Sequence, residues 1–397
     1  MKRILYLCGL VPAICFMAIS CTPKTPGELP VVDVTQGLLN TRKLNLSDFV
    51  DRVEYIKLET RPDCLIAYGQ VAMAGDFLVV KTFRPSNLLV FDRRGKFVRQ
   101  IGRQGQGPGE YVNFQYFDVS PDGRYVAISG MGEPVKLYST EGTFLRAGSP
   151  VSPFLSGFRF LDPGHLVIHN ARTNQSRVDY PMILSLAIPG LKPDTLLTLD
   201  LSPLPNDSPF SLVYTGFYPY DGGISFMEAL NDTLYQLKGD LKRTPRLVFN
   251  CGDKAVTGEN LFISSNHFPI PVYPIGETGD YLFFSAGRGD NYRIMVFDKS
   301  SGETFQLPVR PSRQEEKTKI VGPENDLDGT DFSFNGIRID DREWISLLQI
   351  SDLKAFIGSV GVDELHLRNR KYDDELRQLA EDSNQEDNPI VRILYLR

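Results

Sequence analysis

The chain has 397 residues, 42% of them hydrophobic and 23% charged, a balance that supplies ample core and excludes a disordered or uniformly apolar chain. The net charge is −6 and no basic cluster is visible, so no nucleic-acid partner is expected. Gly (34) and Pro (27) are spread along the whole length beside 25 Phe and 17 Tyr, which points to many short elements joined by turns.

In chain order, Lys2 and Arg3 come first, then an apolar stretch from Ile4 to Ile19 that is too short to span a bilayer comfortably. Met17-Ala18-Ile19-Ser20-Cys21 closes it. This leader resembles the lipobox of bacterial lipoproteins, with the small Ser20 before the cysteine and Ala18 where such boxes usually carry Leu. The resemblance implies that Cys21 is lipidated and becomes the new N-terminus. The plainer alternative is a secretory signal that contains a cysteine. Two or more acyl chains anchor a protein stably without a transmembrane helix. Residues 1–20 are therefore read as a lipoprotein signal peptide and 21–45 as a flexible tether opening on the Pro- and Thr-rich TPKTPGELP. No acidic cluster follows Cys21 to resemble the surface-export signal of some gut anaerobes. The expected address is the cell envelope, at the outer membrane and facing the periplasm. An oxidising compartment permits a disulfide between Cys64 and Cys251, but two buried free thiols are the simpler reading.

From Val53 the pattern has period two. VEYIKL (53–58), FLVVKTF (77–83), LLVFD (88–92) and KFVRQIG (96–102) are short β-branched or aromatic runs bounded by Gly, Pro, Asp and Asn, which predict strands and hairpins. Phe91-Asp-Arg-Arg-Gly-Lys-Phe97 is echoed by Tyr138-Ser-Thr-Glu-Gly-Thr-Phe144 and, more loosely, by Phe297 to Phe305. A fourth hairpin of similar form runs from Asn231 through Tyr235 to Lys238-Gly239-Asp240. A hairpin recurring every ~40–50 residues is the signature of a β-propeller. Six units are assignable, beginning near Val53, Phe114, Gly157, Ser211, Phe262 and Asn335. The last contains helical stretches at Ser346–Ile357 and Lys371–Asp382, the second with Leu376, Leu379 and Ala380 on one face, and ends in the strand IVRILYLR. Because an open blade would expose an unpaired edge, this strand is expected to join residues 53–58 in one composite blade. The fold class is all-β: a six-bladed β-propeller over 46–397 with a few short helices near the C-terminus.

The leader, LSDFVDRVEYIKLET (46–60), VFDRRGKFVRQIGRQGQGPGEY (90–111), NDTLYQL (231–237) and DNPIVRILYLR (387–397) together resemble the six-bladed β-propeller lipoproteins of gut anaerobes, distantly similar to NHL-repeat propellers. The resemblance implies the fold and an envelope location, and no known activity.

The glycine-rich run IGRQGQGPGEY (101–111) lacks the spacing and the following Lys of a phosphate loop, and a strand rather than a helix follows it. It reads as a corner between blades. In the alternative reading, Arg103, Gln104, Gln106, Glu110 and Tyr111 line a binding face. In 323–335, Glu324, Asp326, Asp328 and Gly329 fall near EF-hand positions, but Asn335 replaces the closing Glu and no helices flank the run. A solvated acidic loop is the simpler reading and a weak calcium site the sharper one; no other cofactor is expected. His165 and His169 share a strand face at a separation too large for one metal, and His267 and His366 are isolated. Tyr218 and Tyr220, near Tyr214 and Phe217, suit either a sugar-stacking platform or inter-blade packing.

No catalytic constellation stands out. The expected function is a membrane-anchored envelope lipoprotein, held by its N-terminal lipid, that binds or scaffolds a protein or glycan partner. The alternative is a lactonase-like metal-dependent hydrolase or lyase with an ion in the propeller channel.

Overall fold

A computed structural model of the protein describes residues 28–130, 133–149, 155–170, 172–173, 180–199, 211–212, 216–228, 231–257, 269–287, 292–312, 319–361 and 365–397. In it the four echoed hairpins are one structural unit. Each joins the third and fourth strands of an antiparallel sheet. The first copy shows why the motif recurs. Asp92 Oδ1 accepts from the backbone N–H of Arg94 (2.8 Å) and Lys96 (2.9 Å), and Gly95 takes the turn at φ +77°. The flanking aromatics meet edge to face, Phe91 with Phe97 at 5.6 Å and Tyr138 with Phe144 at 5.5 Å.

Six such sheets form the blades. Blade 1 holds Gly69–Ala74, Phe77–Thr82, Leu88–Asp92 and Phe97–Ile101. Blade 2 holds Tyr116–Val119, Tyr125–Ser129, Lys136–Ser139 and Phe144–Ala147. Blade 3 holds Leu155–Asp162, His165–Asn170, Tyr180–Ala187 and Lys192–Leu199. Blade 4 holds Phe217–Tyr220, Gly223–Met227, Thr233–Leu237 and Arg243–Asn250. Blade 5 holds Val272–Glu277, Tyr281–Ala286, Arg293–Asp298 and Thr304–Gln306. Blade 6 is composite: Arg338–Ile339, Glu343–Leu348 and Ile390–Leu396 come from the C-terminal part, and Val50–Lys57 supplies the outermost strand. Val53 lies opposite Leu394 and Ile56 opposite Val391, so the two ends of the chain are laced into one sheet, as expected from the sequence. Blades 5 and 6 then close the ring by direct packing: a Cβ on Gly276 would lie 2.8 Å from Ile339 Cγ2. Two short ribbons lie outside the blades, Arg172–Thr173 with Ser211–Leu212 and Val309–Pro311 with Lys319–Val321.

Three expectations need correction. The strand near Val53 closes blade 6, so the first complete blade begins at Gly69. The stretch from Ser346 to Leu348 finishes a strand, and the helix starts at Ile350 and ends at Ser359. The second helix, Lys371–Glu381, buries Tyr372, Leu376 and Ala380, with Leu379 partly covered. Third, the ordered chain begins well before residue 46. Val31–Asp33 adds a fifth, parallel strand to blade 4 along Val248–Asn250. A helical turn, Val34–Gly37, follows, capped by Asp33 Oδ1 accepting from Gln36 N (3.0 Å). Thr41 then bridges Gln306 of blade 5, and Asn45 bridges Glu324. Val32, Val34, Leu44 and Leu46 are buried. Residues 31–57 are thus a strap across the outer rims of blades 4, 5 and 6. The β-branched VVDV run gives the segment a hydrophobic side to bury, which the neighbouring Pro and Thr obscured.

The leader and Cys21 lie outside the described residues. Among the described residues no helix is long and apolar enough to cross a membrane.

Candidate binding site in the central channel

The six first strands run in the same sense around the axis. Their starts share one face with the links between blades (the entry face), and their ends share the other with the first hairpin of each blade (the exit face). Charged residues are unfavourable in the middle of packed strands, because a buried charge must be paired. Four inner strands carry such residues: Val272–Glu277 ends on Glu277, Tyr116–Val119 carries Asp118, Leu155–Asp162 carries Arg159, and Arg338–Ile339 opens on Arg338; the last three belong to the channel. Asp118, Arg159 and Arg338 meet in the channel. Asp118, 2% exposed, accepts from Arg338 Nη2 (2.6 Å), Arg159 Nη1 (3.3 Å) and the backbone N–H of Phe160 (2.6 Å). Arg338 also donates to Asp340, Nη2 to Oδ1 at 3.2 Å and Nε to Oδ2. Blades 2, 3 and 6 are bridged across the axis.

The bridge divides the channel into two chambers. The entry chamber, about 310 Å³, is lined by Gln70, Gln115, Tyr116, Ser156, His169 and Phe217 above Arg159 and Arg338. The exit chamber, about 550 Å³, is lined by Asp118, Asp340, Asp341 and Glu343 with Arg338 and Arg342. Arg159 therefore faces the entry side, whose wall among the described residues contains no carboxylate, Arg338 reaches both chambers, and the carboxylates face the exit side. The channel is polarised along its axis.

Titration behaviour follows the geometry. Burial opposes the charge on Arg338, but Asp340 and Asp118 outweigh it and raise its pKa. Burial and the neighbouring charge of Arg338 lower that of Arg159, with Asp118 opposing; a guanidinium so placed still carries its proton at neutral pH. Burial pushes the His169 pKa down to about 4. Its ring stacks on Phe217 at 5.9 Å, and its Nδ1 meets the Ser156 hydroxyl, which also donates to the His169 carbonyl (3.0 Å). Burial also raises the Tyr116 pKa. Apart from the two arginines, the described residues lining the entry chamber are neutral.

The residues singled out from the sequence lie elsewhere. The glycine run is a self-closed corner between blades 1 and 2. Arg103 Nε donates to Glu110 Oε1 (2.6 Å), whose Oε2 accepts from Gly107 N (2.9 Å), and Lys136 Nζ takes the Glu110 carbonyl (2.6 Å). Tyr111 is buried edge to face on Phe114 at 5.0 Å, its hydroxyl on the Ile101 carbonyl (3.3 Å). Glu110 and Tyr111 are spent inside the loop, while Arg103 and Gln104 remain exposed on the entry side.

Tyr218 and Tyr220 are brought together, but between blades rather than on a platform. The Tyr218 hydroxyl donates to Glu277 Oε1 (2.7 Å), and Arg246 and Lys299 grip the same carboxylate. Tyr220 accepts from Lys299 Nζ (2.9 Å), and its ring lies 4.4 Å from the Arg246 guanidinium. Burial raises the Glu277 pKa, but these two cations lower it by more.

In the acidic loop the carboxylates are engaged by protein donors. Asp326 takes the Ser47 N–H (3.0 Å) and hydroxyl. Asp328, fully buried, takes Tyr55 (2.7 Å), Asn325 (2.6 Å), Thr330 (2.6 Å) and Arg392 (3.3 Å), and Glu324 pairs with Lys43 (3.4 Å). Each carboxylate is engaged by a different set of donors and fixes the composite blade to the strap. Among the described residues no group of three or more His, Cys, Asp or Glu is placed to hold a metal. Cys64 and Cys251 are buried free thiols in separate clusters. His165 pairs with Asp162 at 3.0 Å; His267 lies outside the described residues.

Fold and channel together define a six-bladed β-propeller with an ion-bridged axis. The chain belongs to the family described as Domain of unknown function (DUF4934), which it matches over residues 29–395. Among solved structures it is similar to an exported protein of Bacteroides fragilis, at 21% identity and TM-score 0.63 over 93% of this chain and 100% of that one. A DUF4221-family member from Bacteroides vulgatus aligns at 10% identity and TM-score 0.47, over 87% and 96%. A virginiamycin B lyase from Staphylococcus aureus reaches TM-score 0.38 at 11% identity, over 70% and 76%, too distant to carry an argument about activity. A comparison with curated proteins returned no match.

Proposed function

We propose that the protein is a lipid-anchored envelope lipoprotein that binds a protein or glycan partner through its entry face. The observation that carries this reading is the make-up of that face. Tyr68, Phe83 and Val112 are 68%, 44% and 59% exposed. They adjoin one another: Phe83 N donates to the Tyr68 carbonyl (3.1 Å), and Ser86 Oγ holds Asn113 at 2.6 Å, next to Val112. Exposed apolar residues gathered beside a polar cavity mark interaction surfaces. The leader and Cys21 support the anchor and the outer-membrane address, and the description of the Bacteroides fragilis protein as exported supports only an envelope location. The metal-dependent hydrolase reading gains no support from the axis, because Asp118 and Asp340 are spent on Arg159 and Arg338 and Asp341 accepts from the backbone N–H of Asp221 and Gly222.

The test is crosslinking capture of the intact lipoprotein from its native envelope, alongside Cys21→Ala and the face variant Tyr68→Ser/Phe83→Ser. The reading predicts a specific partner that the face variant loses, and release of Cys21→Ala from membranes. Equal capture by the face variant contradicts the assigned surface, and unchanged membrane fractionation of Cys21→Ala contradicts lipidation.

A further inference from the structure

We propose that the entry chamber holds the carboxylate of a small organic acid, with Arg159 as the principal ligand. This deepens the binding reading and rests on it.

The two guanidiniums of the bridge are not equivalent. Arg338 is engaged by both Asp118 and Asp340. Arg159 has a single, long contact, Nη1 to Asp118 at 3.3 Å. Its side chain lines the chamber and is 21% exposed, and Nη1 to Asp118 is its one hydrogen bond to the described residues, which leaves Nε and Nη2 free to meet a ligand. A planar fork of free N–H donors at the floor of a cavity matches a carboxylate in two-pronged geometry.

The rest of the wall sets the sign and the size. Gln70, Gln115, Tyr116 and Ser156 offer neutral donors and acceptors that can orient a polar ligand without competing for its charge. The acids of the axis lie on the far side of the bridge, so the field along the channel draws an anion to the entry side and repels it from the exit side. A volume of about 310 Å³ lies at the small end of ligand pockets and suits one sugar ring or a short peptide terminus. An acidic sugar and a peptide C-terminus share the recognised group.

The test is calorimetric titration of the mature lipoprotein in detergent micelles. The probes are glucuronate, galacturonate and N-acetyl-dialanine, with glucose and the methyl ester of glucuronate as neutral controls. The proposal predicts that at least one acid binds about tenfold or more tightly than its neutral counterpart. The acid that binds identifies the source as sugar or peptide. Arg159→Gln should weaken that binding about tenfold or more. Gln70→Glu, at the exposed mouth, places a carboxylate against the ligand and carries the same prediction should Arg159→Gln fail to fold. The proposal is overturned if no acid binds the wild-type protein, if ester and acid bind equally, or if the folded variants bind like wild type. Partner capture that persists while acid binding fails would overturn this inference alone.

Discussion

Arg338 of blade 6 reaches across the propeller axis to Asp118 of blade 2, Nη2 to Oδ1 at 2.6 Å. The contact ties non-adjacent blades and fixes the polarity of the channel. Removing one partner of a buried pair leaves an uncompensated charge. Asp118→Asn, which leaves Arg159 and Arg338 facing each other, should cost about 3–5 kcal/mol in urea unfolding. The Asp118→Asn/Arg338→Met double variant should cost less than the sum of the singles. An additive double variant would show that the two residues do not act as a pair.

The strap makes a separate prediction. A chain beginning at Leu46 loses the buried Val32, Val34 and Leu44 and bares the edge Val248–Asn250. At about 1.5–3 kcal/mol for each buried aliphatic side chain, the loss is on the order of 5 kcal/mol relative to a chain beginning at residue 28. The urea midpoint should fall. An unchanged midpoint would mean that the segment is a tether after all.

His169 predicts an acid-sensitive step. Its folded pKa of about 4 lies below the ordinary 6.5, so between these values the unfolded chain binds more protons. Stability therefore rises with pH through that window and is lost as pH falls from about 6.5 to about 4, by about 3 kcal/mol at most. His169→Gln should flatten this part of the stability–pH profile. A variant with the same slope as wild type would assign the step to other groups.

The blades were legible because their hairpins carry local chemistry. Asp92, Gly95 and the aromatic pair Phe91–Phe97 make their contacts within a few residues, so the repeat shows in the chain itself. The composite blade was legible from the need to pair an edge. The channel bridge was not. Asp118, Arg159 and Arg338 are far apart in sequence, and only the ring brings them together. Their one local trace is a charge inside an apolar strand, in FDV, FRF and IRI. Conversely, Glu110, Tyr218 and Asp328 looked like site residues because polar and aromatic groups were crowded nearby. The same crowding lets them satisfy one another in loop, blade interface and strap.

At the centre of the channel, Asp118 and Asp340 already neutralise Arg159 and Arg338. The direct measurement is elemental metal analysis of the purified protein after extensive dialysis, run together with Asp118→Asn. The account predicts no stoichiometric metal in either protein and an unaltered wild-type melting temperature on adding chelator. One equivalent of calcium or another divalent ion retained by wild type and lost in Asp118→Asn would contradict it and return the channel to the hydrolase reading.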